Sequence, residues 1–153
     1  MSTLIVCTAN VCRSPSAEGL WRAAAVRRGV IRPVASAGLQ AWPGQPAHPV
    51  CVELLAERGI DLGEHRSQRF RPDLGVRYDL ILTMEQMQMR YIEMVAPVLA
   101  GRVQLLGRWG QGPIADPIGG DRSEFQRCLA LIETAIDSWL DRLTGLQRVG
   151  ASA

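Results

Sequence analysis

The sequence predicts an α/β fold: a single-domain three-layer α/β/α arrangement with a central four-stranded parallel sheet and a phosphate-binding loop after the first strand. Three observations lead there. Short apolar runs alternate with longer stretches of helical periodicity, and no hairpin turn signal joins one run to the next, so the strands are linked by helical crossovers and lie parallel. The chain has 153 residues, 47% of them apolar, enough for one buried core. The first apolar run ends in a cysteine, and a few positions on an arginine stands where a helical pattern opens.

The first strand is expected over Thr3–Val6, where Leu4-Ile5-Val6 reads as a run buried on both faces. A helix follows over Ser14–Arg28. Ser14 near its cap, Pro15 in its first turn and Glu18 soon after mark its start, and Leu20, Trp21, Ala24 and Ala25 give it an inward stripe. Pro33–Ser36 is the second strand and Pro49–Arg58 the second helix, with a short helical piece over Arg71–Leu74. Leu80–Thr83 and Val103–Leu105 supply the remaining strands, and Met84–Ala96 and Arg122–Leu143 the remaining helices. Residues 145–153 lack periodicity and read as a frayed tail, which leaves 1–144 as the domain.

Composition narrows the function classes. Seventeen basic residues against fifteen acidic ones give a net charge of +2, too balanced for a nucleic-acid partner. All the basic residues are arginines, a compositional bias rather than a functional signal. No charged segment followed by a long apolar region opens the chain, and no apolar run is long enough to span a bilayer, so a cytoplasmic location is expected. Cys7, Cys12, Cys51 and Cys128 show no paired ligand spacing, and His48 and His65 are isolated, so neither a metal nor a cofactor is expected. Cys51 and Cys128 sit among apolar residues and read as small buried hydrophobes. Both histidines read as surface or structural residues.

The chemistry concentrates in Cys7-Thr8-Ala9-Asn10-Val11-Cys12-Arg13-Ser14-Pro15. At a strand-to-helix turn the backbone N–H groups of such a loop point inward, and the helix adds its positive N-terminal end. The loop therefore suits phosphate and other oxyanions. The fixed charge of Arg13 suits a thiolate nucleophile at Cys7, and its planar fork fits two equatorial oxygens of a phosphoryl group in transfer. Asn10 tolerates a left-handed backbone at the turn. Two carboxylates, Asp116 and Asp121, could serve as general acid. Asp116 lies in a glycine-rich segment suited to closing over a substrate, whereas Asp121 also fits capping of the Arg122 helix. Trp42, in the turn Ala41-Trp42-Pro43-Gly44, is expected to be exposed and able to stack on a phenyl ring.

This loop resembles the signature of the low-molecular-weight protein tyrosine phosphatases. The likeness extends through Ser36-Ala37-Gly38, Trp42 and Gly44, then Gly59-Ile60-Asp61 with His65-Arg66-Ser67, then Tyr78 to Met84, and finally Asp116-Pro117. The segment from Arg102 to Asp116 looks most like bacterial members that serve exopolysaccharide-producing tyrosine kinases. The resemblance implies a phosphotyrosine protein as partner, and a bacterial tyrosine kinase as its form. It implies Cys7 as nucleophile and Asp116 as general acid. Arg13 and the loop from Thr8 through Ala9, Asn10, Val11 and Cys12 would bind the phosphoryl group, and Ser14 would assist departure of the thiolate. It also implies that Asn10 ties the loop to Ser14 and Ser36. Family members often carry aromatic residues shortly after the acid, where this chain has Ile118-Gly119, so one wall of the cleft is less aromatic.

Three other readings compete. An arsenate reductase of the same fold would need closely spaced redox-active cysteines downstream, and Cys51 and Cys128 are far apart. A protein-arginine phosphatase looks to need threonine where Val11 stands. A phosphotyrosine-binding module would have no need of Cys7, Arg13 and Asp116 together. Cys12 either fills space beneath the loop or, after oxidation of Cys7, pairs with it reversibly.

Overall fold

The computed structural model describes residues 1–151 and, within the last helix, side chains as far as Gly145. Four strands, β1 (Thr3–Cys7), β2 (Val34–Gly38), β3 (Leu80–Thr83) and β4 (Val103–Leu105), form one sheet in the order β2-β1-β3-β4, and every pairing is parallel. Five helices cover it: α1 (Arg13–Arg27), α2 (Pro49–Glu57), α3 (Pro72–Gly75), α4 (Gln86–Val95) and α5 (Arg122–Ala151). Two 3-10 turns that the periodicity did not predict, Pro97–Arg102 and Leu106–Trp109, flank β4.

The alternation of side chains along β1 builds the two layers. Ile5 and Cys7 face a core shared with Trp21 of α1, Leu54 of α2 and Ile132 of α5. Leu4 and Val6 face the opposite core, with Phe70, Ile92 of α4 and Leu99. Both faces of β1 are covered, which is why its sequence is a continuous apolar run. Its register sets Cys7 beside Gly38, and Val6 beside Thr83, so the nucleophile candidate sits at the carboxyl edge of the central strands.

Most element ends fall within two residues of expectation, and the physical reasons are local. At α4 the amides of Met84 and Glu85 donate to the Gln88 side-chain oxygen, both at 3.0 Å, so the helix begins only at Gln86. Asp121 caps α5 as expected: its Oδ1 accepts from the Glu124 N–H at 3.0 Å and the Ser123 hydroxyl at 2.6 Å. The Ser123 hydroxyl, with the backbone N–H groups, holds the Asp121 carboxyl below its usual range.

The end of α5 departs from expectation. The helix continues to Ala151 rather than stopping at Leu143, so the tail expected over 145–153 begins inside it, and 152–153 lie outside the described residues. Lost periodicity does not end a backbone helix. Single glycines at 145 and 150 each cost only about 1 kcal/mol, and no proline intervenes. Upstream, α5 is fixed by Trp139, whose Nε1 donates to the Leu106 carbonyl at 2.8 Å and whose ring meets Trp109 edge-on at 5.5 Å. No described helix is long and apolar enough to cross a membrane.

Candidate active site

The site lies beyond the carboxyl ends of β1 and β3, where parallel sheets of this kind bind ligands. Cys7 closes β1, and the chain curls through Thr8–Cys12 before Arg13 starts α1. The curl is tight. Asn10 takes φ of 58°, the left-handed conformation that asparagine accepts, and the Asn10 backbone N–H points back to the Cys7 sulfur at 3.3 Å. Gly38 lets the loop approach β2: a Cβ there would stand 2.7 Å from the Thr8 carbonyl oxygen and 2.8 Å from the Asn10 nitrogen.

Asn10 is buried and all of its side chain is used. Its Nδ2 donates to Ser14 Oγ at 2.8 Å and to Ser36 Oγ at 2.9 Å, and its Oδ1 accepts the Gln68 backbone N–H at 2.9 Å. The Ser14 oxygen thereby accepts from Asn10, and its one hydrogen has the Cys7 sulfur at 3.0 Å as its nearer acceptor and the Ala37 carbonyl at 3.4 Å as the other. The sulfur thus faces two donors, a setting that suits a thiolate.

Arg13 is only 3% exposed. Its Nη1 donates to the Glu85 carboxylate and to the Ile114 carbonyl at 2.8 Å. Those two bonds consume both Nη1 hydrogens, so Nε and Nη2 remain as the fork for an anion. Asp116 Oδ2 stands 3.8 Å from Nη2, and its Oδ1 accepts the Ile118 N–H at 3.0 Å. The structure therefore brings together Cys7, Asn10, Arg13, Ser14, Ser36 and Asp116.

Trp42 stands apart. It is 81% exposed and lines a cleft of about 570 Å3 with Gln40, Ala41, Pro43, Gln68, Arg69 and Arg71, none of them from the Cys7–Ser14 loop. Ile118, next in line after Pro117, is partly exposed. Cys12 is buried, and its sulfur lies 3.2 Å from that of Cys51; all four cysteines are free. The contact with Cys51 and burial push the Cys12 thiol far above its ordinary range, and burial pushes that of Cys128 up to about 12.

Sequence reasoning missed several supports. Glu85 pairs with the buried guanidinium; its place just after β3, at the ligand-binding edge of the sheet, was a usable signal. Gln88 Nε2 donates to the Thr8 hydroxyl at 3.1 Å. His65 Nε2 meets the Asn10 carbonyl at 2.7 Å, and since a carbonyl only accepts, Nε2 carries the hydrogen. His48 is structural too: its Nδ1 accepts the Val50 N–H at 3.2 Å at the start of α2.

Residues 2–149 match the family model described as low molecular weight phosphotyrosine protein phosphatase. Among curated relatives, a probable low molecular weight protein-tyrosine-phosphatase EpsP of Ralstonia nicotianae is 40% identical over 143 residues, covering 94% of this chain and 96% of the relative. The Vibrio vulnificus Wzb structure, in complex with benzylphosphonate, superposes with a TM-score of 0.86 at 33% identity, covering 92% of this chain and 97% of the other. A YwlE arginine phosphatase carrying a phosphorylated active-site serine superposes at 0.89 with 31% identity, covering 94% and 96%.

Proposed function

The chain belongs to the low molecular weight phosphotyrosine protein phosphatase family and is a protein-tyrosine-phosphatase, and we propose that it works through a phosphocysteine formed on Cys7. The observation that carries this reading is the Cys7 sulfur at the mouth of an anion loop, with the Ser14 hydroxyl at 3.0 Å and the Asn10 N–H at 3.3 Å. The Cys7 thiolate attacks phosphorus in line, and the bond from phosphorus to the tyrosyl oxygen breaks. Asp116, as the acid, gives that oxygen its proton; a phenolate of pKa about 10 is otherwise a poor leaving group. Asp116, now a carboxylate, takes a proton from a water that attacks the phosphocysteine. Phosphate leaves, and the returning thiolate is received by the Ser14 hydroxyl. Arg13, through Nε and Nη2, and the amides from Thr8 to Arg13 hold the equatorial oxygens throughout.

The substrate we propose is a phosphotyrosine protein of exopolysaccharide production, a bacterial tyrosine kinase. The likeness of the Arg102-to-Asp116 segment to members serving such kinases supports this, as does the relation to EpsP. Arginine dephosphorylation is disfavoured because Val11 offers no hydroxyl to the substrate. In the same reading the enzyme works in the cytoplasm, a compartment that four free thiols suit.

Two variants test the mechanism. Cys7→Ser should abolish turnover and keep phosphate binding, because the amides and Arg13 remain. Asp116→Asn should slow phosphates of poorly acidic phenols by about 100-fold or more, yet barely slow those whose leaving groups need no proton. If Asp121→Asn shows that pattern in place of Asp116→Asn, the acid has been assigned to the wrong carboxylate.

A further inference from the structure

A groove of about 300 Å3 opens beside the phosphate loop and is lined by Thr8, Leu39, Gln40, Glu85, Met87, Gln88 and Tyr91. It is continuous with the active site through three of these residues. Thr8 follows the nucleophile, Glu85 holds Arg13, and Gln88 bonds the Thr8 hydroxyl. Leu39, Met87 and Tyr91 make its walls apolar. Met87 is 78% exposed, although it sits in the first turn of a helix that has a buried face available at Ile92. An unbranched thioether and a phenol ring at the rim of a catalytic cleft form an adaptable apolar surface. Met87, Tyr91, Met94 and Val95, all partly or largely exposed, recur at helical spacing and so extend one apolar face along α4 away from the loop.

We propose that this groove is a substrate subsite, taking an apolar side chain of the phosphoprotein close in sequence to the phosphotyrosine, with Met87 and Tyr91 setting the preference. The inference rests on phosphotyrosine being the group bound at Cys7. A segment whose phosphotyrosine enters the loop must pass over the rim residues, and the groove adjoining Thr8 offers the neighbouring side chain an apolar volume of aliphatic size. None of the residues lining the groove is basic, so an acidic side chain placed there finds no cation.

Phosphotyrosine peptides with leucine or aspartate moved through the flanking positions test it. At the position that reaches the groove, leucine should raise kcat/KM about tenfold over aspartate, the change expected from burying most of one aliphatic side chain. Met87→Asp and Tyr91→Asp should erase that ratio through KM, while para-nitrophenyl phosphate, too small to enter the groove, reports whether the loop is intact. Affinities of the Cys7→Ser protein for the same peptides need no turnover and should follow the same order. An equal response to leucine and aspartate at every position, in both turnover and affinity, overturns the subsite. Retained preference in Cys7→Ser affinity, with no turnover of any peptide by the wild type, would support the groove and count against the hydrolytic reading instead. A dimer that Met87→Asp dissolves in sedimentation would give the groove to a second copy of the chain and overturn the proposal.

Discussion

Replacing Asn10 should cost stability and rate together, and the structure sets the size of both. Its side chain makes three buried hydrogen bonds, to Ser14, Ser36 and the Gln68 amide. At about 0.5–1.5 kcal/mol each, their loss in Asn10→Ala amounts to about 2–4 kcal/mol, as two buried hydroxyl oxygens each lose a donor and the Gln68 amide loses its acceptor. Alanine at φ of 58° adds about 1 kcal/mol of backbone strain. That total is a large share of the about 5–15 kcal/mol that holds a domain folded. Glycine loses the same bonds without the strain. Asn10→Gly should therefore be at least as stable as Asn10→Ala in urea unfolding, although glycine elsewhere is worse by about 0.5–1 kcal/mol. Both variants free the Ser14 hydroxyl from its orientation toward Cys7, so kcat on an aryl phosphate should fall about tenfold or more. An alanine variant within about 0.5 kcal/mol of the wild type, or a glycine variant clearly less stable than the alanine one, would refute the assignment of Asn10 as the loop's anchor.

Glu85→Gln removes the charge facing the buried Arg13 guanidinium while keeping an acceptor; phosphate and substrate affinity should change several-fold, whereas Glu85→Ala, leaving the guanidinium unpaired, should also lower the melting temperature by several degrees. Iodoacetamide at about pH 7.5 should label Cys7 first, because its sulfur faces the Ser14 hydroxyl and the Asn10 N–H in the anion loop, whereas the Cys12 and Cys128 thiols are pushed up and Cys51, though lowered by its contact with Cys12, is wholly buried; peptide mapping that finds label on Cys12 as fast as on Cys7 would contradict this. Asp121, whose carboxyl is held low by Ser123, stabilises the fold above its unfolded pKa and loses that contribution as pH falls through its folded value. Asp121→Asn should accordingly flatten the acid limb of stability against pH, with little change near neutrality attributable to charge. Trp139→Phe should cost about 1 kcal/mol through the lost bond to Leu106, read as a lower urea midpoint at unchanged slope.

Much of this was readable from residue order alone, and the reason is locality. Cys7, Asn10, Arg13 and Ser14 lie within eight positions, so one strand end and one helix start determine their geometry. The sheet was equally readable, since runs such as Leu4-Ile5-Val6 are apolar only because both faces are covered. Glu85 and His65 were harder. Their partners lie 72 and 55 positions away, and nothing in local periodicity marks an acid or an imidazole as facing a loop that the fold has yet to bring near. The partner of Cys12 was hidden in the same way: Cys7 is its neighbour in sequence, but the packing of α2 sets Cys51 against it.

Ile114 limits how far Asp116 can move. Its side chain is fully buried, its N–H is given to the Met84 carbonyl at 2.9 Å, and its carbonyl receives Arg13 at 2.8 Å. Asp116 is therefore leashed two residues from a fixed post, and at about 3.5 Å per residue its Cα stays within about 7 Å of that of Ile114. Glycines upstream at 107, 110 and 112 lie on the far side of that post and cannot lend it reach. Asp116 and the anion fork face the same guanidinium, with Asp116 Oδ2 3.8 Å from Nη2, so whatever displaces Arg13 also changes the charge that Asp116 meets.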